Sequence, residues 1–134
     1  MFDCLILGDS IAVGVGQAMP SCVTEAKIGI NSVNYVNKEY KTGDRVADVV
    51  VISLGSNDTM NLKTEESITL LREQIIAERV YWILPNEKKF KAQRNYILKV
   101  AKHHNDLIID IPQCDYNDDN VHPKDYKKIA SLIK

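Results

Sequence analysis

Phe2-Asp3-Cys4-Leu5-Ile6-Leu7-Gly8-Asp9-Ser10-Ile11-Ala12-Val13 opens the chain after its first methionine, and the reading of this stretch decides the fold. Residues 4–7 form an unbroken apolar run of strand length, and Gly8 permits a tight turn. Residues 11–19 then have helical period, with Pro20 to stop them. A strand that passes through a glycine turn into a helix is the first half of a βαβ unit.

The same alternation recurs to the end of the chain. Further strands are predicted at residues 23–28, 49–54, 80–84 and 107–111. Helices are predicted at 32–40, ending before Gly43, and at 65–78, 87–104 and 123–132. The third helix carries a stripe of Ile68, Leu71, Ile75 and Ile76, with Thr64 and Ser67 near its start. The fourth carries Phe90, Tyr96 or Ile97, Val100 and Ala101. Pro123 suits the first turn of the last helix. Residues 49–54 and 80–84 are nearly continuous apolar runs, as expected of strands buried on both faces of a parallel sheet. The prediction is therefore α/β: a three-layer α/β/α sandwich on a five-stranded parallel sheet, with the flavodoxin-like order 2-1-3-4-5. Residues 1–134 are read as a single domain, without repeats or a linker.

Composition narrows the function classes. The net charge of −1 gives no footprint for nucleic acid or for an anionic membrane surface. The apolar runs are strand-length, so no transmembrane segment is expected. Asp3, with no basic region before it, argues against a secretory signal. Three cysteines, Cys4, Cys22 and Cys114, with no CxxC pair, argue against a disulfide framework and against a zinc site. Cys4 and Cys22 are expected as small core residues in a reducing compartment. A cytoplasm fits, as does a particle assembled in one.

In an open parallel sheet, function collects past the carboxyl ends of the strands. Ser10 follows the first strand, Gly29 the second and Asn57 the third, and His122 follows the fifth after a polar loop. All four are expected on one rim. Ser10 reads either as a helix N-cap or as a nucleophile whose own amide, at a helix N-terminus, favours a developing oxyanion. Asn57, in Gly55-Ser56-Asn57-Asp58, reads either as a turn residue or as a carboxamide donor to that oxyanion. Gly29 reads as a strand-end glycine or as an amide that a substrate can approach. Asp119 and His122, three residues apart, read as a solvated loop or as an acid holding Nδ1–H so that Nε2 can take the Ser10 proton. Asp110 is the competing acid and ranks below Asp119.

Other features carry less. Gly14-Val15-Gly16 is not a GxGxxG fingerprint, and no GxxxxGK[ST] stretch exists. His103 and His104 end a helix, where a charge role suits them better than metal binding. Lys88, Lys89, Lys91, Arg94, Lys99 and Lys102 read as a solvated face, and Tyr81 and Trp82 as core.

Gly8-Asp9-Ser10, Gly29, Gly55-x-Asn57-Asp58 and Asp119-x-x-His122 together resemble the four blocks of the SGNH (GDSL-like) hydrolase family, in the family's order. The resemblance implies an esterase-type α/β/α fold and a Ser10–His122–Asp119 triad. It also implies an oxyanion hole from the Ser10 amide, the Gly29 amide and the Asn57 side chain. Asp9 would be a structural residue of the turn, and Asp58 would brace the Asn57 loop. The first block continues Ile11-Ala12-Val13-Gly14 without the leucine of the GDSL signature, which fits the broader family better than its lipase branch. The short chain has little room for lid insertions, so an open, shallow site is expected. The expected activity is a serine ester hydrolase on small-acyl esters, with O-acetylated carbohydrate as first choice, without metal or organic cofactor. The alternative is a catalytically silent module of this fold that binds a glycan or protein partner. A flavodoxin-like binding or signalling domain that matches these motifs by chance is a third reading, disfavoured because the first strand end lacks an acidic cluster. Oligomeric state is not legible.

Overall fold

A computed structural model describes residues 2–40 and 44–134. Gly43, expected just past the end of the second helix, lies outside them. The chain runs β1 (Phe2–Gly8), α1 (Ser10–Ala18), β2 (Val23–Ala26), α2 (Ser32–Asn34), β3 (Arg45–Ser53), α3 (Thr64–Glu73), β4 (Ile75–Ile83), α4 (Glu87–His104), β5 (Leu107–Ile109) and α5 (Tyr126–Ala130). One turn of π-helix, Tyr35–Glu39, extends α2, and a 3-10 turn, Gln113–Asp115, follows β5. The described strands form one five-stranded parallel sheet, as the alternation predicted, and their order β2-β1-β3-β4-β5 is the flavodoxin-like one expected.

Two apolar layers follow from the two-residue period of the strands. Leu5, Leu7, Val50, Ile52, Val80 and Trp82 face one way and meet Tyr35, Ile68, Leu71, Ile97 and Val100 of the α2, α3 and α4 side. Ile6, Val49, Val51, Tyr81 and Ile83 face the other way and meet Ile11, Ala12 and Val15 of α1 and Ile129 of α5. Tyr81 and Trp82 are thus core residues of opposite layers. Fully burying such an aliphatic side chain stabilises the fold by roughly 1.5–3 kcal/mol, so both layers are well anchored.

Several expected boundaries are corrected. Ile75 and Ile76 belong to β4, not to the preceding helix. The helix ends at Glu73, and the β-branched pair takes register against Arg45 and Val46 of β3. Each is a moderate helix residue and a good strand residue, so pairing with β3 decides. Consequently β3 and β4 both start earlier than predicted. Strand β2 stops at Ala26, because Lys27–Ile30 closes a turn with Gly29 at φ +82°. Pro123 is not helical. It is buried and bridges Tyr116, while α5 begins after Asp125, whose carboxylate accepts from the Lys127 and Lys128 amides.

Cys4 and Cys22 form a disulfide, which overturns their reading as free core thiols. Parallel pairing sets Leu5 opposite Val23, so the residues one step earlier are cross-strand neighbours with Cα atoms 4.7 Å apart. The pairing is non-local, and an odd cysteine count could not reveal it. The argument for a reducing compartment loses its premise with it. Cys114 is free and exposed.

Candidate active site

The first strand delivers Ser10 through a corner that tolerates no side chain at Gly8. A Cβ there, at φ +141°, would overlap the Ser53 carbonyl, to which the Asp9 amide donates at 3.0 Å. Asp9, not Ser10, is the helix N-cap: its Oδ1 accepts from the Ile11 amide at 3.0 Å and from the Ser53 hydroxyl at 3.2 Å. That leaves the Ser10 side chain free for another partner. Asp9 is fully buried, and its Oδ2 has no hydrogen-bond partner among the described residues. Burial pushes its carboxyl up to about 7, against the opposite pull of the Ile11 amide and the Ser53 hydroxyl.

Ser10 Oγ lies 2.8 Å from His122 Nε2, across 112 residues of sequence. His122 Nδ1 lies 2.6 Å from Asp119 Oδ2, and Asp119 Oδ1 accepts from the Val121 and His122 amides at 2.8 and 2.9 Å. The His122 side chain beside it, and then these two amides, hold the Asp119 carboxyl well below the usual carboxylate range. An ionised Asp119 favours the Nδ1–H tautomer, which leaves the Nε2 lone pair facing the serine hydroxyl. Asp110, the competing acid, is instead clasped by both Arg94 nitrogens at 2.9 and 2.6 Å, and this pairing holds its carboxyl low.

The carboxyl ends of β2 and β3 supply the other candidates. In open space around Gly29, a Cβ would meet nothing within 4 Å, so its positive φ and not crowding calls for glycine. Asn57 Nδ2 donates to the Ile30 carbonyl at 3.0 Å, tying the Asn57 loop to the Gly29 turn. A carboxamide has two N–H bonds, so one anchors and a second remains for an incoming oxygen. Asp58 is buried; its Oδ1 accepts from the Ser32 amide at 2.8 Å and its Oδ2 from the Thr64 hydroxyl. The Gln93 carboxamide donates to its backbone carbonyl at 3.3 Å. Asp58 therefore joins the starts of α2 and α3 beneath the Asn57 loop.

The side chains of His122 and Asp119 are 39% and 47% exposed, in line with an open site. No helix of the described residues is long and apolar enough to cross a membrane. His103 and His104 stand edge to face at the end of α4, remote in the fold from the Ser10 corner. Two contributors were not singled out from sequence. Tyr126 covers Gly14 of α1, where any side chain would run into its ring, and so seats α5 beside the corner. Asn86, at the end of β4, reads in sequence as an ordinary N-cap, and only its partners distinguish it.

These features define the fold of the SGNH-like hydrolases. Solved structures share it. One is a G-D-S-L family protein from Desulfitobacterium hafniense DCB-2 described as lipolytic, at 17% identity and TM-score 0.61, covering 96% of this chain and 95% of that one. Another is the C-terminal catalytic domain of peptidoglycan O-acetyltransferase A from Streptococcus pneumoniae, solved with a methylsulfonyl adduct. It is 17% identical with TM-score 0.56, covering 97% of this chain and 87% of that one. No protein-family model and no curated protein matches the sequence.

Proposed function

We propose that this protein is a serine acyl-transfer enzyme of the SGNH type, an ester hydrolase acting on small-acyl esters. The observation that carries the reading is the hydrogen-bonded chain from Ser10 Oγ through His122 to Asp119, at 2.8 and 2.6 Å. His122 Nε2 takes the hydroxyl proton as Ser10 Oγ attacks the ester carbonyl. The imidazolium is stabilised by Asp119. The tetrahedral oxyanion is met by the Ser10 amide at the helix start, the Gly29 amide and the second N–H of Asn57; losing one such donor typically costs ~3 kcal/mol of barrier. The same proton then goes to the leaving alcohol, and water, deprotonated by His122, releases the acid from the acyl-Ser10 ester. Each step uses side chains and backbone alone.

An O-acetylated carbohydrate is the first substrate class. An exposed site suits a small acyl group on a large polar alcohol, and one fold neighbour is named for O-acetyl transfer on peptidoglycan. That neighbour also favours a second reading, in which a glycan hydroxyl replaces water as the acceptor.

Labelling with a fluorophosphonate, located by peptide mass spectrometry, tests the nucleophile. The expected adduct sits on Ser10 and is lost in Ser10→Ala and His122→Ala. Acetyl-ester turnover with and without an oligosaccharide acceptor then separates hydrolysis from transfer. A folded protein that takes no adduct would favour the silent binding module.

A further inference from the structure

The loop bearing Asp119 and His122 is an antiparallel excursion closed by its own backbone. The Lys124 amide donates to Asp115 at 2.7 Å, the Asn117 amide to His122 at 2.8 Å, and the Asn120 amide to Asn117 at 2.9 Å. Its base is seated by buried Tyr116 and Pro123, whereas residues 117–119 are exposed and 120–122 half-buried. At the tip Asn120 adopts φ +56°, an uncommon conformation for a residue with a side chain.

One buried side chain reaches this tip from the sheet. Asn86, 1% exposed, follows β4 and caps α4. Its Oδ1 accepts from the Lys88 amide at 3.0 Å and from Gln113 Nε2 at 2.8 Å, while its Nδ2 donates to the Asn120 carbonyl at 2.9 Å. That carbonyl belongs to the same planar peptide unit as the Val121 amide. The Val121 amide is the one that donates to Asp119 Oδ1 at 2.8 Å. Carbonyl and N–H point in opposite directions across a trans peptide, so fixing one aims the other. Asn86 thus grips the peptide from the sheet side, and Asp119 is held on its far side.

We infer that Asn86 is a positioning residue for the acid–base pair: through the Asn120–Val121 peptide it orients Asp119, and through Asp119 the imidazole of His122. The inference rests on the proposed serine chemistry for its consequence in rate, but its structural content does not. The position needs a donor and an acceptor on one short side chain, which a carboxylate at neutral pH cannot supply. Asn86→Asp keeps the capping acceptor and loses the donor to Asn120. Asn86→Ser keeps a cap and is too short to span both partners.

Kinetic, thermal and spectroscopic readouts on the full chain test it. The rate of fluorophosphonate labelling and kcat on an acetyl ester are expected to fall about tenfold to a hundredfold in both variants, the size of effect a slight misplacement of reacting groups produces. KM is expected to stay within about twofold. The thermal midpoint is expected to fall by about 3–5 °C for each buried hydrogen bond lost, with both variants still folding cooperatively. The ring ¹⁵N shifts of His122 are expected to move from a single Nδ1–H tautomer in the wild type toward a mixture of tautomers. If wild-type Ser10 takes no label, the proposed chemistry fails while the His122 shifts still decide the role of Asn86. Wild-type ring shifts in a folded variant overturn the inference, whether or not the rate falls. Should Asn86→Asp not fold, Asn86→Ser decides. Loss of fold in both would assign Asn86 to the scaffold and also overturn it.

Discussion

The two halves of the candidate site are built differently. The Ser10 corner rests on buried polar groups at or just past the carboxyl ends of β1, β2 and β3: Asp9 and Ser32 are 0% exposed, Ser53 2% and Asp58 6%. The His122 loop is local and half-solvated, with the Asp119 side chain 47% exposed. In the corner, position is enforced by desolvated hydrogen bonds whose loss leaves unpaired groups inside the protein. In the loop, position is enforced by a turn, two amides and a grip from Asn86. The nucleophile side should therefore fail by unfolding, and the base side by losing activity while still folded.

The largest effect should come from the exposed half. Asp119→Asn keeps an acceptor for the two backbone amides but turns an N–H toward His122 Nδ1, favouring the wrong tautomer. Acetyl-ester kcat is expected to fall about 10⁴-fold. The thermal midpoint should move little, since the group is half-exposed and solvent screens its bonds. A drop of less than about tenfold would show that the exposed acid does not orient the base, and would dissolve the contrast between the halves.

Next comes the buried half. Asp58→Ala leaves the Ser32 amide and the Thr64 hydroxyl without their partner. Denaturant unfolding is expected to register a loss of about 3 kcal/mol. The fraction still folded should label at Ser10 at a rate much closer to wild type than that of Asp119→Asn. Equal stability of Asp58→Ala and wild type would mean that the corner is not braced through Asp58.

The smallest effect is the pH response of Asp9. Its carboxyl moves from an ordinary 3.8 to about 7 on burial. The folded state then binds a proton that the unfolded state releases, so this contribution to stability is full below 3.8. It declines as pH rises and is gone above about 7. Between pH 6 and pH 8 the expected loss is about 1 kcal/mol, measurable in urea. Asp9→Asn should flatten that slope while keeping the acceptor for Ile11 and Ser53. An unchanged slope would place the titration elsewhere.

Much of this architecture was legible in the chain. Apolar runs at residues 49–54 and 80–84, each followed by a helical stripe, identify parallel strands, whereas right-handed crossovers leave the strand order open and packing decides it. The Ile75–Ile76 boundary was not legible, because short apolar segments fit either period until a neighbouring strand edge claims them. The Cys4–Cys22 bond contradicts the sequence argument against disulfides for a related reason: cysteine arithmetic counts residues, and cross-strand register pairs them. At the site, Ser10, Gly29, Asn57, Asp119 and His122 stood out as short motifs at strand ends. Asp9 was legible as a turn residue, but the fact that it, and not Ser10, caps α1 was not.

Sequence alone determined the alternation of elements, the burial of the strands and the rim on which the polar motifs gather, since these depend on local period and turn chemistry. Only the tertiary structure decided which groups meet. Ser10 reaches His122 across 112 residues, and Asn86 reaches Asn120 across 34. Such contacts are set by how strands and helices pack, and packing responds to the shape and desolvation of the whole chain rather than to any one stretch of it.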